Sequence, residues 1–300
     1  MAVGASGSTD RGWTLRRRRR SWKVVGETLE EFDGRFPRAE RLTGDPVQLA
    51  HGYSDPRDRE VAALIASSLA FGRASLVIEA GRGLLDWLGP RPARHLTRAH
   101  RRGELTVPEG WQYRWLRRDD LRWFLAQVGR VLDEAGSLEA AFTAGDDGGP
   151  DLRAAMSAFA NRLRDDGRPA RRRLTHGAAY FVPSAEQGST CKRLCLFLRW
   201  LIRPADGIDL GSWSGLDPAR LTMPVDTHVA RISAYVGLTE RRTASWAMAR
   251  EITENLARFR PDDPVSFDFA LSQLGIMGSC PRRRQPKLCA SCDLLPACRL

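Results

Sequence analysis

Apolar residues recur at helical spacing along most of this chain, and the alternation expected of a half-buried strand is scarce. Asp55-Pro56 opens the first clear segment, with Asp as N-cap, Pro at the first helical position and Asp58 in the first turn. Val61, Leu64, Ile65 and Leu69 give it an apolar face. A second helix is predicted over Ser75–Leu88, stopping at Gly89-Pro90. Further periodic segments lie at about 119–135, 151–165, 191–202, 226–236, 243–259 and 264–277. Gly136 and Gly237 stand at C-terminal ends, Thr243 and Pro264 at N-terminal ends. The expectation is an all-α fold without internal repeats, with a Gly-rich linker at 145–150. A chain of 300 residues suggests two domains, or one domain with two lobes.

No apolar run is long enough to span a bilayer; the best candidate, Leu194–Ile202, is interrupted by Arg199. No apolar h-region follows the N-terminal arginines, so a secretory signal is not expected. The net charge of +11 is unevenly spread. Residues 1–23 carry +6 and residues 270–300 carry +4, leaving +1 for everything between. Two concentrated basic patches on a nearly neutral body suit a polyanionic partner. Residues 1–21 read as a basic, disordered tail. The stretch Arg162–Arg173 reads as a solvated helix end and loop, with phosphate contact as the alternative. Trp111, Trp115 and Trp123 read as packing residues rather than base-stacking platforms, two of them at helical spacing.

Four of the six cysteines, Cys280, Cys289, Cys292 and Cys298, lie within 19 residues, with gaps of eight, two and five. Such density near one end does not describe a secreted disulfide scaffold. A zinc site usually uses two separated C-x2-C clamps. One C-x2-C flanked by single cysteines better suits a [4Fe–4S] cluster, with Zn as the alternative and a disulfide pair as a third option. The first gap holds Arg282, Arg283, Arg284 and Lys287, a basic loop pinned at both ends. Cys191 and Cys195, four apart on an apolar helix face, read as buried inert thiols.

Ahead of the 191–202 helix runs Gly188-Ser189-Thr190-Cys191-Lys192. Gly188 permits a tight turn, Ser189 or Thr190 can cap the helix, and the N–H groups of its first turn form a phosphate site. The chain has three lysines against 44 arginines, a weak hint that Lys192 is kept as an amine, which can attack carbon where a guanidinium cannot. Asp226, in Met223-Pro224-Val225-Asp226-Thr227-His228, opens a helix. Capping accounts for an Asp there, and a carboxylate aimed into a cleft could also stabilise a cationic sugar or activate water. His228 reads as a structural hydrogen-bonding residue.

The segment from Val225 to Arg231, followed by the four-cysteine cluster, resembles the helix-hairpin-helix DNA glycosylases of the endonuclease III type. The nearest resemblance is to an uncharacterised bacterial family of these relatives, which shares the Lys-Arg-Leu-x-Leu-Phe-Leu-Arg-Trp stretch. The resemblance covers roughly Gly188 to Cys298 well and the helices from Asp55 onward loosely. It implies a two-lobed, all-α helix-hairpin-helix glycosylase architecture with a C-terminal [4Fe–4S] cluster loop. The lobes would be 22–54 plus 206–300, bearing the cluster, and 55–205, a helical barrel ending in the hairpin helix. It further implies a DNA repair enzyme that flips a damaged base and cleaves its N-glycosidic bond. Asp226 falls on the catalytic aspartate and Lys192 on the nucleophilic lysine of the bifunctional, abasic-site lyase members. Cys280, Cys289, Cys292 and Cys298 fall on the cluster ligands. Gly188, Ser189, Thr190 and Arg193 at the hairpin, with Arg282, Arg283, Arg284 and Lys287, would contact double-stranded DNA. A monomer in the cytoplasm, associated with the nucleoid, is expected.

The sequence departs from the family in several places. Thr190 occupies the second hairpin position where Gly is usual. An insertion, Gly207–Arg220, lengthens the interval from Lys192 to Asp226, and its Trp213 could stack on a flipped base or plug the loop. The helix at 58–70 lacks the glutamine that many members insert toward the orphaned base; Ser67, Ser68 and Phe71 lie there instead. A DNA-binding protein of the same fold without excision is the alternative function, and a zinc-stapled nucleic-acid scaffold a third.

Overall fold

A computed structural model describes residues 20–165, 174–184, 186 and 188–300. The expected basic tail up to residue 19, and the 166–173 part of the arginine-rich stretch, lie outside the described residues. The described chain is mostly helical. It runs α1 (Trp22–Arg35), α2 (Arg38–Arg41), α3 (Gln48–His51), α4 (Pro56–Ser68), α5 (Ala74–Leu88) and α6 (Pro92–Arg102). A short antiparallel ribbon follows, β1 (Gln112–Tyr113) and β2 (Leu116–Arg117). Then come α7 (Arg118–Ala135), α8 (Leu138–Thr143), α9 (Arg153–Arg164), α10 (His176–Phe181) and α11 (Lys192–Ile202). The chain ends with α12 (Thr227–Val236), α13 (Trp246–Leu256), α14 (Asp268–Ile276) and α15 (Pro286–Ala290).

The helix starts follow local chemistry. Asp55 Oδ1 accepts the Arg57 N–H at 2.9 Å to open α4, with Pro56 at its first position. Ser245, not Thr243, caps α13, accepting the Met248 N–H at 3.3 Å. Pro264 opens a 3-10 turn that leads into α14 rather than starting the α-helix itself. The ribbon at 112–117 was not foreseen. Two-residue strands carry too little alternation to register, and the four-residue spacing of Trp111 and Trp115 mimics a helix.

Two groups of buried apolar side chains hold the chain together. The larger gathers α3 to α11 around Phe124, Phe142, Phe159, Phe197 and Trp200. The smaller packs α1 against α12, α13 and α14, together with Leu294 and Ala297 of the C-terminal loop. The 55–205 and 206–300 boundary expected from sequence does not divide the two cores. Val47, Leu49 and Ala50 on one side, and Ile208, Leu210, Trp213, Leu216 and Leu221 on the other, belong to the larger core. The physical reason is that the Gly207–Arg220 insertion folds back on α11: the Leu210 N–H bonds Trp200 O and the Trp213 N–H bonds Leu201 O. Among the described residues no helix is long and apolar enough to cross a membrane.

Between the cores lies a buried ion network. Arg199 of α11 pairs with Asp209 at 3.0 Å and with Asp268 of α14. Arg203 pairs with Asp209, with Asp206 at 3.0 Å and with Asp263 at 2.9 Å. Charges this deep persist only because each guanidinium is shared among carboxylates.

Candidate active site and nucleic-acid interface

Lys192 and Asp226, 34 positions apart in sequence, stand side by side. Lys192 is the first residue of α11 and Asp226 is the N-cap of α12. The Lys192 Nζ to Asp226 Oδ2 distance is 3.6 Å, with side chains 30% and 20% exposed, so the pair reaches solvent. Asp226 Oδ1 accepts both the His228 N–H and the Val229 N–H at 2.8 Å. One oxygen thus caps the helix and the other is left for Lys192. His228 packs closely on α14: a Cβ placed on Gly275 would lie 2.4 Å from the His228 Cβ. Its structural role agrees with that packing.

Lys192 Nζ also approaches Ala70 O, just past α4, at 3.5 Å. Arg193 departs from its expected phosphate contact. Its guanidinium turns inward, donating to Ser68 O at 3.2 Å and to Tyr180 O, and lies 3.6 Å over the Tyr180 ring. Burial lowers its pKa to about 10. The reason is geometric: residue 193 lies between the end of α4 and the end of α10, and a main-chain carbonyl of each takes its donors. Gly188 makes the expected turn at φ +75°. Neither Ser189 nor Thr190 caps α11. Ser189 Oγ instead accepts the Cys191 N–H at 3.2 Å, and Cys191 itself occupies the N-cap in the left-handed region at φ +47°. A non-glycine residue held there stores on the order of 1 kcal/mol of strain. Cys191 and Cys195 are buried, as expected.

Asp268 is the site residue that sequence reasoning missed. It is 1% exposed and lies behind the pair, close enough to feel both Asp226 and Lys192. Burial pushes its carboxyl up to about 6 against the pull of Arg199. Among the described residues its Oδ1 has no hydrogen-bond partner. No local motif announces such a residue, because its partners are 69 and 42 positions away.

Arg282, Arg283, Arg284 and Lys287 are exposed, and none forms an ion pair among the described residues. Their loop is tied to α12: Tyr235 Oη donates to Arg282 O at 2.9 Å and Arg231 donates to Cys280 O at 2.8 Å. The four cysteines of this loop are free. Burial, with Cys292 and Cys298 nearby, pushes the Cys280 thiol up to about 11, so gathering these sulfurs as thiolates calls for a compensating cation. Main-chain N–H groups of Gln285 and Leu300 already point at Cys289 and Cys298 Sγ, both at 3.4 Å. No group of three or more His, Cys, Asp or Glu among the described residues is gathered tightly enough to hold a metal ion.

Trp213 is a plug. It is buried, and its Nε1 donates to Glu60 at 2.8 Å. Trp123 is buried on α7, whereas Trp115 departs from its expected packing role: it sits on the ribbon's turn, 42% exposed. Arg162 is tied to Glu134 at 3.3 Å.

A family model matches residues 45–277, which include both Lys192 and Asp226. The chain belongs to the family described as protein of unknown function DUF2400. The DUF2400 match ends three residues before Cys280, so the cysteine loop lies beyond it. No curated protein and no solved structure matches the chain.

Proposed function

We propose that this DUF2400 chain is a DNA N-glycosylase of the helix-hairpin-helix type, with abasic-site lyase activity through Lys192. The observation that carries the reading is the 3.6 Å approach of the Lys192 amine to the Asp226 carboxylate at two helix starts. The two apolar cores are compatible with a two-lobed architecture. In the reaction, double-stranded DNA presents a turned-out nucleotide to the pair. The Lys192 nitrogen attacks C1′ as the C1′–N bond breaks, and the base leaves with the bonding electrons, taking a proton from water. Asp226 stabilises the developing positive charge on the sugar and takes the proton released by the amine. Returned to the ring oxygen, that proton accompanies ring opening, and the hydroxide left by base protonation takes the second proton from the nitrogen, giving an imine between Nζ and C1′. Strand scission follows by elimination.

Cys280, Cys289, Cys292 and Cys298 would hold a [4Fe–4S] cluster, with Zn as the alternative. The cluster would supply a staple for the loop that carries Arg282, Arg283, Arg284 and Lys287 to DNA phosphates. The N–H donors aimed at Cys289 and Cys298 support this assignment, since such hydrogen bonds stabilise ligating thiolates.

Borohydride reduction on a panel of lesion-bearing duplexes tests the reading. The wild-type chain is expected to become covalently linked to one of them. Lys192→Ala should abolish linkage, and Asp226→Asn should lower excision about a hundredfold or more. Undiminished linkage by the first variant or undiminished excision by the second would remove that residue from its role. A second reading, a DNA-binding protein without excision, is favoured by two contacts: Ala70 O and Asp226 already give Lys192 Nζ a structural set of acceptors. Salt-dependent duplex binding with no base released from the panel would select it.

A further inference from the structure

We infer that an aromatic platform centred on Trp115 receives the unstacked nucleobase presented beside Lys192, an inference that rests on the DNA reading above. Phe71, Trp115 and Tyr180 form a triangle, with ring centroids 4.8 Å (Phe71–Trp115), 4.8 Å (Phe71–Tyr180) and 5.2 Å (Trp115–Tyr180) apart. Tyr113 backs it, with its ring 5.0 Å from Phe71 and its hydroxyl donating to Phe71 O at 2.6 Å. Phe71 and Tyr180 are half-buried, while Trp115 is among the few large apolar side chains of the described residues left exposed.

The platform joins the candidate site through two chain neighbours. Phe71 follows Ala70, whose carbonyl meets Lys192 Nζ, and Arg193, which follows Lys192, lies over Tyr180. Its surroundings are cationic. The Arg114 guanidinium stands 5.3 Å from the Trp115 ring and 5.7 Å from Phe71, and Arg73 and Arg117 are exposed nearby in sequence. Aromatic faces interleaved with arginines match the chemistry of a nucleobase on its phosphate backbone.

The turn is also strained. Among the described residues, Arg114 is one of two non-glycine residues with positive φ, at +57°, and it closes on Gly72, where a Cβ would lie 2.6 Å from Arg114 Nη1. Gly72 itself sits at φ +98°. The turn holds Trp115 against Phe71 and Tyr180 yet leaves it 42% exposed, and strain of this kind collects at binding sites.

The test compares two duplexes, one fully paired and one with a single bulged 5-iodouracil. Wild-type chain should prefer the bulged duplex and, on irradiation, crosslink at Trp115 or Tyr180. Trp115→Ala should weaken the bulged duplex about tenfold and leave the paired duplex unchanged, while Trp115→Phe should retain most of the preference. Crosslinking of the bulged iodouracil to residues away from Phe71, Trp115 and Tyr180 would overturn the assignment to the presented base. So would a Trp115→Ala variant that binds both duplexes as wild type does, a result that gives the platform to a protein partner. Wild-type chain that binds neither duplex would remove the DNA reading and this inference together; binding without a Trp115 effect removes only the inference.

Discussion

Asp226 divides its oxygens between two tasks, and the division makes its charge separable from its capping. Asparagine caps a helix as well as aspartate does, so Asp226→Asn should keep the fold while losing the negative charge beside Lys192, whereas Asp226→Ala should also lose about 1 kcal/mol of stability. Asp268 carries a different consequence. Burial raises its carboxyl to about 6 in the folded chain, above its ordinary 3.8. The folded state therefore binds this proton more tightly than the unfolded chain does. Its contribution to stability is present at low pH and is lost as pH rises from about 4 through about 6. Other buried carboxyls, among them Asp45, Glu60 and Asp209, are raised by burial too, so urea denaturation across that window should show a shallower decline in Asp268→Asn than in wild type; identical pH dependence would refute it. The cap at Asp226 could be read from sequence because its partners are two and three residues away. Asp268 could not, since its environment is made by α11 and by the start of α12. Arg193 is hard to read for a related reason: nothing local says that a basic side chain at a helix start will be claimed by one carbonyl 13 positions earlier and another 125 positions earlier.

Periodicity marked α4, α7 and α12, but not α1, which runs 14 residues behind a Ser21 cap, nor α6. Short elements and borrowed caps escaped it too. The N-terminus of α8 shows the difference. Ser137 caps it locally, accepting the Ala140 N–H at 3.0 Å, but Glu60 from α4 also accepts the Leu138 N–H at 2.8 Å and the Glu139 N–H at 3.2 Å. The same carboxylate accepts from Trp213. Three donors thus depend on one buried side chain from a distant helix. Glu60→Ala should cost about 3 kcal/mol or more, read as a fall in the urea midpoint, because buried donors left unpaired are expensive. Glu60→Gln, which keeps acceptor oxygen, should cost less. The ribbon at 112–117 was unreadable for the opposite reason: its strands are too short for a pattern.

At the scale of the molecule, the uneven charge predicted from the sequence meets its structural counterpart in the exposed Arg282–Arg284 loop. Each phosphate contact contributes about 0.9 to the slope of log affinity against log salt for duplex DNA. Replacing Arg282, Arg283 and Arg284 by alanine should flatten that slope by about 2 to 3, measured by anisotropy titrations at several salt concentrations; an unchanged slope would take this loop off the DNA. The all-α character and the meeting of Lys192 with Asp226 were within reach of sequence reasoning. The partition of the cores was not, because the insertion after α11 chose the larger one. α12 joins these regions. Asp226 stands at its start, and Arg231 and Tyr235 along its body grip the cysteine loop. Ten helical residues form a strut roughly 15 Å long that can tilt but hardly stretch. A chain clipped after Met277 would keep every residue of the family match yet lose the guy-rope that sets the tilt, leaving the carboxylate's aim to drift.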